Sequence, residues 1–87
     1  MKRHILVSER TAAIAAIAKA LDFPSWFGQN LDALHDSLTD LSWLPEGDYV
    51  LVVPADLDPA VAGVLRDAAE TTAESGDRTL RVIRTER

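Results

Sequence analysis

The sequence predicts an α/β domain, in which helices pack against a small parallel sheet of three strands. Short apolar runs rich in valine and isoleucine alternate with longer segments of helical periodicity. The segments between these runs are long enough to contain helices, as connections between parallel strands require. The 87 residues, 47% of them hydrophobic, suffice for one core but not for two. We therefore expect a single domain over residues 1–87.

The first part of the chain predicts a strand followed by a helix. The apolar run His4–Val7 is the first strand. Apolar residues between Thr11 and Leu21 then recur three and four positions apart, which is typical of one helix face. Thr11 or Ser8 is the expected cap. The helix must end before Pro24, because proline disfavours helical geometry in the residue before it.

The second part predicts a strand, a long helix and a last strand. The aliphatic run Asp48–Val53 indicates a strand that is buried on both faces. Asp58 and Pro59 supply an N-cap and a first-turn proline for a helix that ends near Gly76. Thr79–Thr85 is the last strand, whose arginines could protect an exposed sheet edge.

Charge is distributed unevenly along the chain. The net charge is −5, which argues against nucleic acid or an anionic membrane as a partner. No lysine or arginine occurs between Lys19 and Arg66, an interval that indicates an anionic surface suited to a cationic partner. Acidic residues could equally serve only to keep a small protein soluble. The absence of cysteine and of any membrane-spanning run favours the cytoplasm. The acidic residues of the interval are Asp22, Asp32, Asp36, Asp40, Glu46, Asp48, Asp56 and Asp58.

A row of carboxylates stands out on the second predicted helix, Leu31–Leu41, for which Asn30 is a good N-cap. Its four leucines gather in one arc of the helical wheel, and Asp36 lies nearly opposite, with Asp32 and Asp40 about 40° to either side. Like charges four residues apart cost about 0.2–0.5 kcal/mol per pair. The row is therefore a candidate binding surface, although a solvated acidic face is the simpler alternative.

Two aromatic residues, Trp26 and Phe27, directly precede this helix, and Gly28 follows them. Aromatic rings beside charges that can be desolvated are typical of binding hot spots. Gly28 would let a partner approach the backbone closely. The alternative is that the rings are part of the core beneath the loop, and we expect one of the two to be buried in this way.

The segment Phe23–Thr39 resembles the hallmark segment of the barstar family, the intracellular inhibitors of barnase-type ribonucleases. It contains a proline, two aromatic residues, glycine, glutamine, Asn-Leu-Asp-Ala-Leu, and a second aspartate four residues after the first. The resemblance implies a barstar-like fold and, as partner, a cationic, barnase-like ribonuclease of the extracellular or toxin type. It also implies a 1:1 complex of monomers, as in a toxin–antitoxin pair. No cofactor, metal, direct contact with nucleic acid or membrane association is expected.

The resemblance also implies roles for individual residues. Asp36 would enter the ribonuclease active site in place of a substrate phosphate, and Asp32 would pair with basic groups beside it. Trp26 would stack near the catalytic histidine of the enzyme. A further acidic contact of the family falls near Thr71 in the last helix, which makes Glu70 a candidate. The remaining predicted partner-binding residues are Phe27, Gly28, Asn30, Ala33, His35 and Thr39.

Three features depart from the barstar pattern. His35 stands where barstar has a tryptophan, and Trp26 and Phe27 replace a pair of tyrosines. The segment between Val53 and Gly76 is shorter, so we expect one short helix to be missing.

Two other functions compete with ribonuclease inhibition. The same acidic helix would serve a barstar-like module that binds another cationic protein and inhibits no nuclease. An enzyme would use His35 with Asp36, or Asp32, His35 and Asp36 as metal ligands. His35 lies about 100° from Asp36 around the helix, and the sequence has no phosphate loop or nucleophile motif, so we predict a non-enzyme.

Overall fold

The computed structural model describes residues 1–24 and 27–85, apart from the side chain at position 75. The order of its elements is the predicted one, strand, helix, helix, strand, helix, strand. The elements are β1 (Lys2–His4), α1 (Arg10–Ala20), α2 (Leu31–Asp40), β2 (Gly47–Val53), α3 (Pro59–Ser75) and β3 (Arg78–Arg84).

The three strands form one parallel sheet in the order β1-β2-β3. Lys2 pairs with Val50 at one side of the central strand, and Arg81 pairs with Val50 at the other. The predicted α/β class with a three-stranded parallel sheet is confirmed. Both crossovers step in the same direction across the sheet, so right-handed connections place the helices on one face.

The core lies between that face of the sheet and the helices, with α3 in contact with β3, α2 and α1. Buried Thr72 of α3 links helix and sheet, because its Oγ1 accepts a hydrogen bond of 2.9 Å from the backbone N–H of Leu80 in β3. No helix in the described ranges has the length and hydropathy to cross a bilayer. The largest fully buried side chains are Ile17, Leu21, Leu34, Leu38, Leu41, Leu51, Val61, Leu65 and Leu80.

The caps of α3 are the predicted ones, whereas the predicted cap of α1 is wrong. Asp58 accepts hydrogen bonds from the first turn of α3, and Gly76 ends that helix with a φ of 89°. Helix α1 is capped by Glu9, not by Thr11 or Ser8. The Glu9 carboxylate turns back to accept from two backbone N–H groups, while the Ser8 carbonyl accepts the Asp58 N–H at 2.9 Å.

The first strand lies earlier in the chain than predicted. It covers Lys2–His4 instead of His4–Val7, and only Ile5 of the apolar run joins the core. Ile5 still donates to the Val52 carbonyl at 2.8 Å, after which the chain leaves the sheet towards α1. Leu6 is consequently 87% exposed. Strand pairing, which depends on contacts with β2, overrides the local apolar pattern here.

The other boundaries differ by one residue, since β3 covers Arg78–Arg84, β2 begins at Gly47 and α2 ends at Asp40. Between β2 and α3 the chain makes only a turn, with the Leu57 N–H donating to the Pro54 carbonyl at 3.2 Å. This segment therefore has no helix of its own, as expected from its length.

An ion pair joins the starts of α1 and α3, where Arg10 Nε lies 3.1 Å from the Asp58 carboxylate. Partial desolvation acts to raise the pKa of Asp58, but the Arg10 hydrogen bond and the N–H groups of the first turn of α3 lower it by more. The backbone N–H groups of Thr11 and Ala12 likewise lower the pKa of Glu9, because they stabilise its ionised form.

These two carboxyl groups should make the fold sensitive to acid. Their pKa values are lower in the folded chain than in the unfolded one, so their stabilisation is complete above about pH 5.5 and is lost as the pH falls through the unfolded values to the lowered ones. We expect Asp58→Asn to be less stable than the parent at neutral pH and to lose less stability on acidification. Urea denaturation at several pH values measures this.

The control is Asp56→Asn, in the turn before α3, where the carboxylate is exposed and makes no hydrogen bond to the described residues. It should keep the parental pH dependence. An unchanged pH dependence in Asp58→Asn would contradict the role assigned to that carboxylate.

Candidate partner-binding site

Helix α2 is held in one rotational setting by its leucines. Leu34, Leu38 and the following Leu41 are completely buried, and Leu31 packs against the core from its edge. Their spacing of three and four residues keeps them on one stripe of the helix. Any rotation of α2 would expose this stripe to water, so the opposite stripe must face outward.

The outward stripe carries the three predicted aspartates, and Asp32, Asp36 and Asp40 are all exposed. Successive carboxylates are about 6 Å apart along the helix axis. Asp40 accepts a hydrogen bond of 2.9 Å from Ser42 Oγ. Within the described part of the chain, Asp32 and Asp36 have no hydrogen-bonding or ionic partner. Both are therefore available to cations of another molecule.

Both ends of α2 are fixed by local hydrogen bonds. Asn30 caps the start as predicted, because its Oδ1 accepts from the Ala33 N–H at 2.8 Å. At the end, Leu41 adopts the left-handed conformation with a φ of 52°, and its N–H donates to the Ser37 carbonyl. A left-handed non-glycine residue costs roughly 1–2 kcal/mol, which the complete burial of Leu41 offsets.

The remaining predicted residues of α2, Ala33, His35 and Thr39, are half-buried. The Thr39 hydroxyl donates to the carbonyl of His35 at 3.0 Å and to that of Asp36 at 3.1 Å. It is therefore tied to the helix, and its methyl group and neighbouring Ala33 offer mainly apolar contact beside the aspartates.

The loop before α2 is anchored by aromatic rings. Phe27 packs against the core and meets Phe23 edge to face, with ring centroids 4.7 Å apart. Phe23 in turn meets Trp43 at 5.5 Å, and Trp43 Nε1 donates to the Leu21 carbonyl at 3.1 Å. Phe27 is thus a ring that plugs the core, as expected of one of the pair. The predicted contact residue Trp26 lies outside the described residues.

Gly28 is exposed, and its place in the fold does not require glycine. A Cβ at this position would lie 3.5 Å from Asn30 Nδ2, which is an ordinary van der Waals contact. The described residues therefore give no steric reason for glycine here, and close approach by a partner stays the prediction made from the sequence.

A depression of about 480 Å³ lies beside Asp32, between the starts of α1 and α2. Arg10 and Gln29 help to line it, and neither was predicted as a site residue. Gln29 lies within the motif and could have been included, whereas Arg10 reaches the site only through the fold. The ion pair of Arg10 is with Asp58, so Asp32 remains free.

Glu70 is not brought together with the acidic row. It is exposed on α3, where it borders a groove with Val53, Val82 and Arg84 from the sheet. Gly28, Asn30 and the residues of α2 adjoin one another along the chain, while Glu70 belongs to a different surface.

Metal binding by the cluster Asp32, His35 and Asp36 finds no support in the geometry. The described residues contain no group of three or more histidine, cysteine or acidic side chains arranged to hold a metal ion.

The acidic row should lower the stability of the protein itself. Asp36 repels both Asp32 and Asp40, and each such pair costs about 0.2–0.5 kcal/mol, in addition to the lower helix propensity of aspartate. We expect Asp36→Ala to raise the free energy of unfolding by up to about 1 kcal/mol, measured by urea denaturation at low salt.

The matched change on the same helix is Asn30→Ala, which removes the cap and should lower stability by about 1 kcal/mol. A loss of stability in Asp36→Ala would mean that this carboxylate makes a stabilising contact within the fold.

The comparisons with known proteins agree with this geometry. A family model described as Barstar (barnase inhibitor) matches residues 6–84. No curated protein matches the chain. The family match spans α1, α2, β2, α3 and β3 in full, together with the acidic row and the loop before it. The chain therefore belongs to the barstar family, a family of barnase inhibitors.

Proposed function

We propose that this protein inhibits a barnase-type ribonuclease by placing Asp36 in the enzyme's phosphate-binding site, with Asp32 pairing beside it. The observation that carries the proposal is the exposure of two unpartnered carboxylates on a helix whose rotation is set by buried leucines. The complex would contain one copy of each protein and form in the cytoplasm, as in a toxin–antitoxin pair.

Phosphate mimicry follows from the chemistry of the two surfaces. A ribonuclease active site holds phosphate with lysine, arginine and histidine, and a carboxylate accepts the same charge-assisted hydrogen bonds. Among the described residues, Asp32 and Asp36 have no partner whose interaction would be lost on binding. Since α2 is already ordered by its cap and its leucines, little conformational entropy is lost on binding.

The surroundings of the aspartates would complete the interface. Gly28 and Asn30 before the helix, with Ala33 and Thr39 on it, offer small side chains that leave room for the enzyme. Phe27 and His35 are half-buried and would contribute at the rim. Trp26 is proposed as the aromatic contact with the catalytic histidine.

Glu70 would contribute only if the enzyme extended past α2 to the groove between α3 and β3. Its role is therefore separable from that of Asp32 and Asp36, and Glu70→Ala tests it alone.

Removal of the Asp36 carboxylate should weaken inhibition strongly. We expect Asp36→Ala to raise the inhibition constant at least a hundredfold, or about 3 kcal/mol, because the enzyme's cations are then buried without a partner. The measurement is RNA cleavage by a barnase-type ribonuclease titrated with the protein.

The control is Asp56→Ala, which removes the same charge from the turn between β2 and α3 and should inhibit like the parent. If Asp36→Ala inhibited as tightly as the parent, the proposed role of this residue would be wrong. If the parent bound the enzyme but left RNA cleavage intact, the chain would be a binding module and not an inhibitor.

Association should depend on ionic strength. Between Lys19 and Arg66 the chain has no lysine or arginine, so this interval forms an anionic surface. Such a surface attracts a cationic enzyme from a distance, and salt screens this attraction. We expect the association rate constant to fall at least tenfold between about 0.01 and 0.5 M salt, measured by stopped flow, with a smaller change in the dissociation rate. Equal rates at both concentrations would exclude steering.

A further inference from the structure

The second surface of interest is the face of the sheet that the helices leave bare. Neighbouring residues of a strand point to opposite faces. In β2, Tyr49, Leu51 and Val53 belong to the core, whereas Val50 and Val52 do not contact it. Within the described residues no helix covers the side of the sheet that carries these two valines, since right-handed crossovers put the helices on the other face.

A bare face is unusual for an all-parallel sheet. Such sheets occur almost only where both faces are covered, and the cover is normally helical. Here the bare face is also apolar along its middle. Val52, which is only 6% exposed, lies between His4 and Ile83 in the pairing register, whereas Val50 is half-buried and Ile83 is 47% exposed. These properties indicate that another molecule covers the sheet.

The charges on this face are arranged in a pattern. Val50 lies between Lys2 of β1 and Arg81 of β3, both of which are exposed. At the end of the face, the acidic Asp48 is engaged, because Thr79 Oγ1 donates a hydrogen bond to its carboxylate. Lys2 and Arg81 have no ionic partner in the described part of the chain. The face is therefore an apolar strip with a free cation on either side.

The dimensions of the strip suit one helix. Strands lie about 4.8 Å apart, so the backbones that carry Lys2 and Arg81 are about 10 Å apart, close to the diameter of a helix. Carboxylates on both flanks of an apolar helix stripe would then meet the two cations.

A second copy of this chain fits the face poorly. Two strands of seven residues and one of three offer roughly 270 Å², less than the ~800 Å² per partner of a stable dimer. Face-to-face pairing would also concentrate the like charges of Lys2 and Arg81. The acidic helix α2 cannot be the occupant either, because its leucine stripe is buried in its own core.

We propose that the bare face of the sheet, formed by Lys2, His4, Val50, Val52, Arg81 and Ile83, binds an acidic amphipathic helix of another protein. The apolar stripe of that helix covers Val50 and Ile83, the apolar residues of this face that keep accessible surface, and its flanking carboxylates pair with Lys2 and Arg81. The face lies on the opposite side of the sheet from α2, so such a partner and a ribonuclease can bind at the same time.

The test uses two synthetic helical peptides of about 18 residues, long enough to follow the strands. Both have the same leucine stripe, flanked by glutamate in one and by lysine in the other. The full-length protein, labelled with ¹⁵N, is titrated with each peptide by NMR. The glutamate peptide should shift the amides of residues 2–5, 50–52 and 79–83 and bind at least tenfold more tightly than the lysine peptide.

Three variants locate the contact. Ile83→Thr keeps a β-branched residue on the strand and should weaken binding of the glutamate peptide about tenfold. The double variant Lys2→Glu with Arg81→Glu should reverse the preference towards the lysine peptide, a gain that a folding defect would not produce. Asp36→Ala, on the other side of the molecule, should bind like the parent.

Several results would overturn the proposal. These are equal binding of both peptides, no binding of either, shifts confined to other surfaces, or variants that bind like the parent. A dimer in sedimentation that Ile83→Thr dissociates would make a second copy the occupant. Binding to phosphatidylglycerol vesicles through Lys2 and Arg81, without peptide binding, would make the face a membrane surface.

Discussion

The burial of Leu34, Leu38 and Leu41 is the constraint on which the rest of the site depends. These side chains are completely enclosed, and a helix that must keep them enclosed has only one rotational setting. In that setting Asp32 and Asp36 face the solvent, and neither forms an ion pair with the described residues. The burial of the leucines thereby offsets the repulsion between the aspartates, which by itself would destabilise the helix.

Topology gives the molecule two different surfaces. Sequential strand order with right-handed crossovers puts the helices, including the acidic α2, on one side of the sheet. The other side is left to residues of the three strands, among which Lys2 and Arg81 are exposed. The helix side thus presents the acidic row of α2 beside the exposed Arg10, Lys19 and Arg66, and the other side presents Lys2 and Arg81.

In the loop before α2, Phe27 has a role in the fold, whereas its neighbour Gly28 is proposed to contact the partner. Phe27 fills the space beside Phe23 and Trp43 and so fixes the path of the chain into the Asn30 cap. Gly28 directly after it has open surroundings and no steric requirement for glycine. The loop lies within the region that the family model matches.

The sequence by itself determined the element order, the leucine and aspartate stripes of α2 and the caps Asn30, Asp58 and Gly76. These features depend on spacing within one element or on a side chain that bonds to its own turn, so local chemistry suffices to predict them. The exposure of the aspartates could also be predicted, because the leucine stripe must face the core and the opposite stripe of the helix then faces the solvent.

Only the tertiary structure decided where β1 ends, which ring enters the core and which surface Glu70 joins. Ile5 is the last residue that β2 can pair, so Leu6 is exposed despite its place in an apolar run. Arg10 reaches Asp58 across most of the chain and so leaves Asp32 free. Such outcomes depend on contacts between residues far apart in sequence, and a local pattern carries no information about them.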